Sequence, residues 1–219
     1  MTDDISASRE FFDKMAASWD SRFKAGEEKL AALNILCPAP RGGRALDIAC
    51  GTGVLFPMLL SAGVSELWGV DVSPKMLDEA KRKFPDPKVS LFCGDFLGFG
   101  ETGFDCAFIY RAYPHFHDKA AFAKKLHSTL KDGGRFIIAH NESRQSINER
   151  HKKTASHVSD IIGIGSYVYI EMCIRDRLNL ATFIPSSIIL SRTCRSSVAG
   201  PRVHTIFVFL IVFLRHKYT

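Results

Sequence analysis

The sequence lacks an apolar run long enough to cross a lipid bilayer. Its longest such run, residues 206–214, is far shorter than the roughly 20 residues that a spanning helix requires. The N-terminus, Met-Thr-Asp-Asp, also lacks the basic and apolar regions of a secretory signal. These absences predict a chain without a transmembrane helix and without a membrane partner.

Paired cysteines are missing as well. The six cysteines are scattered and form no Cys-x-x-Cys pair, so neither a zinc ribbon nor a disulfide-stapled fold is indicated. Such thiols are typical of a reducing compartment, and we expect a cytoplasmic protein. A length of 219 residues with 46% hydrophobic content suits one buried core and is short for two.

A strong charge of one sign is absent from most of the chain. The formal net charge is +6, but from residue 164 onward there are seven basic residues against two acidic ones, which leaves about +1 for the rest. A nearly neutral region of this size carries no electrostatic footprint for nucleic acid. We therefore expect no nucleic-acid partner, and the oligomeric state stays open.

What is present is organised around residues 44–54, Arg-Ala-Leu-Asp-Ile-Ala-Cys-Gly-Thr-Gly-Val. An apolar run that ends in an acid and a loop of small residues predicts a strand, a tight turn and a helix. Gly51 and Gly53 lack a Cβ, so the backbone of the turn can take left-handed angles and approach a ligand closely. A dinucleotide loop would need a third glycine where Phe56 stands, which disfavours an NAD-dependent reductase. A turn without any ligand is the other alternative.

Two further acids mark the ends of later predicted strands. Asp71 ends a strand predicted at residues 66–71, and Asp95 follows another at residues 89–93. Asp71 lies about 24 residues after Asp47, close to the roughly 20-residue offset at which nucleotide-binding βαβ units place an acid on ribose hydroxyls. Because the carboxyl ends of parallel strands meet at one edge, we expect the three acids to face one ligand.

Predicted helices and predicted strands alternate along the rest of the core sequence. Helices are predicted at residues 54–62, 73–83 and 118–130, and strands at residues 104–110 and 135–140. The order Ser73-Pro74 is typical of a helix start. We therefore expect an α/β fold, a doubly wound Rossmann-like sheet with helices on both faces.

Four ordered motifs between residues 11 and 151 resemble those of class I S-adenosylmethionine (SAM) dependent methyltransferases. They are Phe-Phe-Asp-x-x-Ala-x-x-Trp-Asp from Phe11, Asp-x-Ala-x-Gly-x-Gly from Asp47, Gly-Asp-Phe at residues 94–96, and Leu-Lys-Asp-Gly-Gly-Arg-Phe-Ile-Ile from Leu130. Ala49 stands where the family's motif I, usually Asp/Glu-x-Gly-x-Gly-x-Gly, has its first glycine. The resemblance implies SAM as the cofactor and a methyl group transferred to an unidentified, small-molecule acceptor.

The same resemblance implies a set of site residues. In the family, an acid at the Asp95 position hydrogen-bonds the adenine amino group, and the apolar residue after it packs on the ring. The implied cofactor contacts are Asp47, Ala49, Cys50, Gly51, Gly53, Asp71, Val72, Asp95, Phe96 and Tyr110. A regulatory protein that binds SAM or S-adenosylhomocysteine (SAH) without catalysis fits these motifs too.

Two histidines are candidates for catalysis. His115 follows the fourth predicted strand and His140 ends the fifth. In the resembling family the loop after the fourth strand faces the transferable methyl group, so either imidazole could serve as a general base if the acceptor must lose a proton. Solvated surface histidines fit as well, and histidines without a fixed spacing do not indicate a metal.

The N-terminal segment is predicted to be an amphipathic helix over residues 6–24. One interpretation packs this helix against the edge of the sheet. The other, common in the resembling family, makes Phe11 or Trp19 part of a lid over the cofactor. We divide the chain into a helical lid region at residues 1–40 and a SAM-binding core at residues 41–160.

Residues 161–219 depart from this pattern. The family's sheet needs two more strands after the fifth, but acids nearly vanish here while serine and arginine increase. Met-Cys-Ile-Arg-Asp-Arg, at residues 172–177, is also what one reading frame of a common DNA-sequencing transposase adapter encodes. We hypothesise a chimeric tail that begins near residues 165–171, with the last two strands missing or replaced. The rival interpretation makes residues 206–214 the last strand.

Overall fold

A computed structural model describes residues 2–23, 26–140, 188–190 and 207–214. Its helices are α1 (Thr2–Met15), α2 (Trp19–Arg22), α3 (Glu27–Leu36), α4 (Phe56–Ser61), α5 (Pro74–Lys83) and α6 (Lys119–Thr129). Its strands are β1 (Arg44–Ile48), β2 (Glu66–Asp71), β3 (Val89–Cys93), β4 (Phe104–Tyr110), β5 (Leu130–His140), β6 (Ile188–Leu190) and β7 (Phe207–Leu214). Within the described residues, no helix is both long and apolar enough to span a membrane.

The strands form one sheet in the order β3-β2-β1-β4-β5-β7-β6. The first five are mutually parallel, and β7 pairs antiparallel with both β5 and β6. The order reverses between β1 and β4, so the crossovers leave a crevice at the carboxyl ends of these strands. Open α/β sheets bind their ligands at such a switch point.

Helices cover both faces of the sheet, as the sequence predicts. Side chains on β1 and β4 alternate between two buried clusters, with Ala45 and Phe108 in one and Leu46 and Ala107 in the other. Helices α3, α4 and α5 contribute to the first cluster and α6 to the second. Strands buried on both faces need continuous apolar runs, which explains the composition of β4.

Local capping sets the bounds of α5 and α6. The Ser73 hydroxyl accepts the backbone N–H of Met76, and Pro74 takes the first helical position. Asp118 caps α6 in the same way by accepting the N–H of Ala121. Strong caps are visible in a sequence, which is why the predicted start of α5 agrees with the structure.

Two further strands, β7 and β6, continue the sheet beyond β5. The backbone of β7 pairs with β5 from Arg135 opposite Phe213 to His140 opposite Phe207, and β6 pairs with β7. The rival interpretation, a last strand at residues 206–214, is the one the structure favours. Residues 206–214 are apolar and rich in residue types that favour strands. Our prediction gave more weight to the lack of a capped helix before them. The hypothetical junction near residues 165–171 lies outside the described residues.

Candidate functional site

A cavity of about 390 Å³ opens at the carboxyl edge of the sheet. It is lined by the ends of β1, β2, β4 and β5, by the turns after β1 and β3, and by α1 and α2. Of the predicted cofactor contacts, the cavity is lined by Asp47, Ala49, Cys50, Gly51, Asp71, Val72, Asp95, Phe96 and Tyr110. The predicted base candidates His115 and His140 line the same cavity. The fold therefore brings together residues from three of the four motifs.

The loop after β1 lies directly on this cavity. Gly51 has a φ of +53°, and a Cβ built there would meet only the Trp19 indole nitrogen, at 3.9 Å. Ala49 also lies in the left-handed region, with a φ of +57°. A side chain tolerates that conformation poorly, so the alanine that replaces the family's first glycine is strained. The open space beside Gly51 is suited to a ligand that rests on main-chain atoms.

Gly53 is not among the described lining residues, and it serves the turn instead. A Cβ at this position, where φ is +79°, would lie 2.8 Å from Phe56 Cδ2. On the neighbouring strand, a Cβ on Gly69 would lie 2.7 Å from Phe56 Cζ. The two glycines thus make room for the Phe56 ring. That ring fills the space in which a dinucleotide fold packs its third glycine.

Asp71 ties the loop to the start of α5. Its Oδ2 accepts the backbone N–H of Gly51 at 2.8 Å, and its Oδ1 accepts that of Ser73 at 2.9 Å. Burial raises the pKa of the Asp71 carboxyl to about 6, although these backbone donors oppose the rise. Each carboxylate oxygen retains a second lone pair that can accept a ligand hydroxyl.

Asp47 is the least satisfied acid of the cavity. Its side chain is 1% exposed, and Oδ2 has no hydrogen-bond partner among the described residues. Burial, and secondarily the Asp71 carboxylate, raises the pKa of Asp47 well above its ordinary value. A buried acceptor without a donor costs about 1–3 kcal/mol or more. Such a group is suited to a ligand that brings a proton donor or a positive charge.

Asp95 and Phe96 line the cavity beyond the end of β3. Asp95 Oδ1 accepts the backbone N–H of Leu97 at 3.1 Å and caps the short 3₁₀ helix Phe96–Gly98. Phe96 is buried, and its ring packs 5.4 Å from that of Phe122. The contact with Phe122 fixes the orientation of the Phe96 ring, which forms a flat apolar wall beside the Asp95 carboxylate.

The N-terminal helices are fastened to the cavity by two acids that sequence reasoning missed. Asp13 Oδ1 accepts the Ser73 hydroxyl at 2.5 Å, and Asp20 Oδ1 accepts the Thr52 hydroxyl at 2.6 Å. Lys83 also pairs with Asp20, at 2.7 Å. In sequence these acids look like the solvated face of an amphipathic helix, and no local signal reveals partners that lie over 30 residues away.

Aromatic rings from the same helices reach the other side of the cavity. Phe12 packs edge to face against Trp19 at 5.6 Å and against His115 at 5.8 Å. Phe11 lies 5.3 Å from Phe12 and also lines the cavity. The segment therefore contacts the start of α5 and lines the cavity, and its action as a lid stays a prediction.

Arg111 is a second feature that the sequence did not single out. It follows β4 with a φ of +62°, and its backbone N–H donates to Ala139 at 2.8 Å. Its guanidinium lies 5.3 Å from the ring centroid of Phe23. Next to it, the Tyr110 hydroxyl is buried and has no hydrogen-bond partner among the described residues. A non-glycine residue in the left-handed region often marks a functional position.

The family comparison agrees with this geometry. Residues 46–138 match the protein family described as "Methyltransferase domain". Over these residues the chain is similar to class I SAM-dependent methyltransferases. In the described part of the chain, no group of three or more histidine, cysteine or acidic side chains is arranged to hold a metal ion.

Two curated relatives illustrate the range of proteins that share the methyltransferase domain. The 2-methyl-6-phytyl-1,4-hydroquinone methyltransferase of Synechocystis is 32% identical over 103 residues, which cover 46% of this chain and 32% of the relative. The malonyl-[acyl-carrier protein] O-methyltransferase of Priestia megaterium is 31% identical over 96 residues, covering 43% and 35%. This chain spans about a third of the length of these relatives.

A solved structure supports the fold over a longer span. A putative SAM-dependent methyltransferase from Methanococcus maripaludis matches with a TM-score of 0.62 at 16% identity, covering 100% of this chain and 96% of that one. Identity this low shows the fold alone.

Proposed function

We propose that the protein transfers a methyl group from SAM to a small-molecule acceptor. The observation that carries this proposal is the cluster of Asp47, Asp71 and Asp95 around one cavity, beside a glycine turn that leaves room for a ligand. The unsatisfied Oδ2 of Asp47 supports a ligand that completes its hydrogen bonds. SAM, when bound, supplies a methyl group on a positively charged sulfur.

Each proposed contact follows from the chemistry of the side chain. Asp71 accepts ribose hydroxyls with its remaining lone pairs, Asp95 accepts the adenine amino group, and Phe96 packs on the ring. Asp47 accepts a cationic donor of the cofactor. The remaining contacts that we propose are Ala49, Cys50, Gly51, Val72 and Tyr110, with Gly53 supporting the turn from behind.

Catalysis requires mainly that donor and acceptor be aligned in a cavity that excludes water. Phe12, Trp19 and Phe116 supply apolar walls for this purpose. For an acceptor that must lose a proton, we propose His115 and His140 as base candidates, since both line the cavity. One curated relative is named for a hydroquinone and the other for malonyl-[acyl-carrier protein]. Both names support an acceptor whose methylated part is a small organic group.

We propose further that α1 and α2, within the predicted lid region of residues 1–40, act as a lid. The bonds of Asp13 to Ser73 and of Asp20 to Thr52 support this role, because they hold α1 and α2 over the site. The free thiols of Cys37, Cys50, Cys93 and Cys106 support a reducing, cytoplasmic location.

The chimeric origin of residues 161–219 also stays a proposal, and the pairing of β7 with β5 weighs against it. Mapping of raw sequencing reads decides the question. Continuous genomic coverage across residues 165–171 in independent clones would remove the proposal, and reads that break there would support it.

Two measurements test the function in sequence. Isothermal titration calorimetry with SAH should show one site per chain. Incubation with methyl-labelled SAM and a small-molecule cell extract should then yield a labelled product. Binding without transfer would favour the non-catalytic regulator, and absence of binding would refute both.

A further inference from the structure

Charged side chains around the cavity are segregated by strand. Among the described lining residues, the acids Asp47, Asp71 and Asp95 belong to β1, to β2 and to the turn after β3, and Asp20 belongs to α2. Arg111, by contrast, follows β4 directly. Histidines at positions 115, 117 and 140 line the same β4 and β5 side. One half of the cavity is therefore acidic, and the other half carries a cation and imidazoles.

One backbone contact and one side-chain contact fix the position of Arg111. Its N–H donates to the Ala139 carbonyl on β5, and its guanidinium lies on the ring of Phe23, which also lines the cavity. A planar guanidinium matches the two oxygens of a carboxylate, and a fixed arginine loses less side-chain entropy when it binds one. The geometry indicates an anion site on the acceptor side.

Tyr110 provides a second, independent observation. Its side chain is 8% exposed, it lines the cavity, and its hydroxyl has no hydrogen-bond partner among the described residues. Burial raises the pKa of Tyr110, so the phenol is neutral at physiological pH and can donate its proton. A buried hydroxyl in this condition is stabilised when a ligand oxygen accepts from it.

We propose that Arg111 and Tyr110 bind the carboxylate of the methyl acceptor, so that the product is a methyl ester. This inference rests on the methyltransferase function proposed above and names the class of its acceptor. The apolar body of the acceptor lies against Phe12 and Phe116, which line the cavity on the same side. The positive charge of Arg111 attracts an anion, so the carboxylate is directed toward β4.

The chemistry needs no base. One carboxylate oxygen forms a bond to the methyl carbon while the carbon–sulfur bond breaks, and the electron pair of that bond stays on sulfur. The products are a neutral methyl ester and SAH, and no proton is transferred. An ionised carboxylate is the ordinary state of such an acid at neutral pH, so His115 and His140 act in this reaction as polar lining residues.

Alkali lability of the product tests the inference even while the natural acceptor is unidentified. The protein is incubated with methyl-labelled SAM, a small-molecule cell extract and a panel that contains phenylacetate, octanoate and 4-ethylphenol. We expect mild alkali to release most of the transferred label as volatile methanol, as it does from methyl esters. Transferred label that resists alkali would overturn the carboxylate inference and leave the methyltransferase function intact. Failure to transfer any label would refute the function itself.

A pair of arginine variants tests the residue assignment. Arg111→Gln should lower kcat/KM for the acid about 10-fold to 100-fold, the cost of losing a hydrogen-bonded charge, mostly through KM. Its affinity for SAH should stay within about twofold, and Arg111→Lys should be intermediate. Arg82→Gln, on the exposed surface of α5 and outside the cavity, is the matched control and should behave like the wild type. An equal loss in both glutamine variants would refute the assignment.

A binding measurement supplies a readout besides activity. Calorimetry on SAH-saturated protein compares phenylacetate with phenylacetamide, which differ in charge but hardly in shape. We expect the wild type to bind the acid at least tenfold more tightly than the amide. This preference should disappear in Arg111→Gln and shrink about fivefold in Tyr110→Phe, which keeps the ring. A wild type that does not prefer the acid would overturn the inference.

Discussion

The carboxylate of Asp71 accepts the backbone N–H of Gly51 at 2.8 Å, and this bond joins the end of β2 to the turn that follows β1. The same carboxylate accepts the N–H of Ser73 at the start of α5. One buried side chain thereby orders the two segments that flank the cavity. An acid with this double function fixes the shape of a binding site before the ligand arrives.

Asp47→Asn should make the ligand-free protein more stable at neutral pH. The folded-state pKa of Asp47 is raised by burial, so the native state binds a proton more tightly than the unfolded state does. This group therefore contributes stability at low pH and loses it, by about 1.4 kcal/mol per pH unit, as the pH rises from about 4 toward the folded-state pKa. Asparagine carries no charge and removes this loss.

Denaturant unfolding between pH 5 and 8 checks the Asp47 prediction. The free energy of unfolding of the wild type should fall relative to that of Asp47→Asn as the pH rises. Asp71 acts in the same direction up to about pH 6, since its pKa is also raised, but it is present in both proteins. SAH affinity should be weaker in the variant. A variant that is less stable than the wild type throughout would contradict the account.

Ala49→Gly should stabilise the fold. Ala49 has a φ of +57°, a conformation that costs an alanine about 1–2 kcal/mol and a glycine almost nothing. The larger entropy of glycine in the unfolded chain offsets part of this gain, so we expect a net increase of about 0.5–1 kcal/mol. Ala45→Gly, at a buried position of β1, is the control and should destabilise by about 1 kcal/mol or more. Similar losses in both variants would refute the strain at Ala49.

Thr52→Val should shorten the time for which the cofactor stays bound. The Thr52 hydroxyl donates to Asp20 at 2.6 Å and so connects the glycine turn to α2. Thr129 donates to Lys125 at 2.8 Å inside α6, away from the cavity, and supplies the matched control Thr129→Val. Both variants lose one hydrogen bond, worth about 1 kcal/mol of stability.

Stopped-flow dissociation of SAH separates these two threonine variants. We expect Thr52→Val to release SAH about fivefold faster than the wild type, because the lid opens more often, and Thr129→Val to release it at the wild-type rate. Equal rates in all three proteins would show that α2 does not retain the ligand.

Local signals in the sequence predicted the elements with strong boundaries. The bounds of β2, β3 and β4 agree with the prediction, and the Ser73-Pro74 start of α5 does as well. The start of α4 differs, because Gly53 with its φ of +79° keeps the chain in a turn until Phe56. The start of β5 also differs, since Leu130 already pairs with Phe104 across an irregular register.

Contacts between distant segments were beyond the reach of the sequence. The convergence of the proposed cofactor residues on one cavity could be predicted, because they follow strands whose carboxyl ends meet at one edge. Asp13, Asp20 and Arg111 could not, since their partners lie far away along the chain and their own neighbourhoods resemble an ordinary polar surface. The strand β7 was given too little weight for the related reason that its partner, β5, lies more than 60 residues earlier.

Calorimetric titration of the full chain with SAH, compared between the wild type and Asp71→Ala, tests the central claim most directly. Asp78→Ala, on the exposed face of α5, controls for the loss of one surface carboxylate. We predict binding at one site in the wild type and in Asp78→Ala, and an affinity at least tenfold weaker in Asp71→Ala. Full affinity in Asp71→Ala would contradict the proposed ribose contact, and absence of binding in the wild type would contradict the whole account.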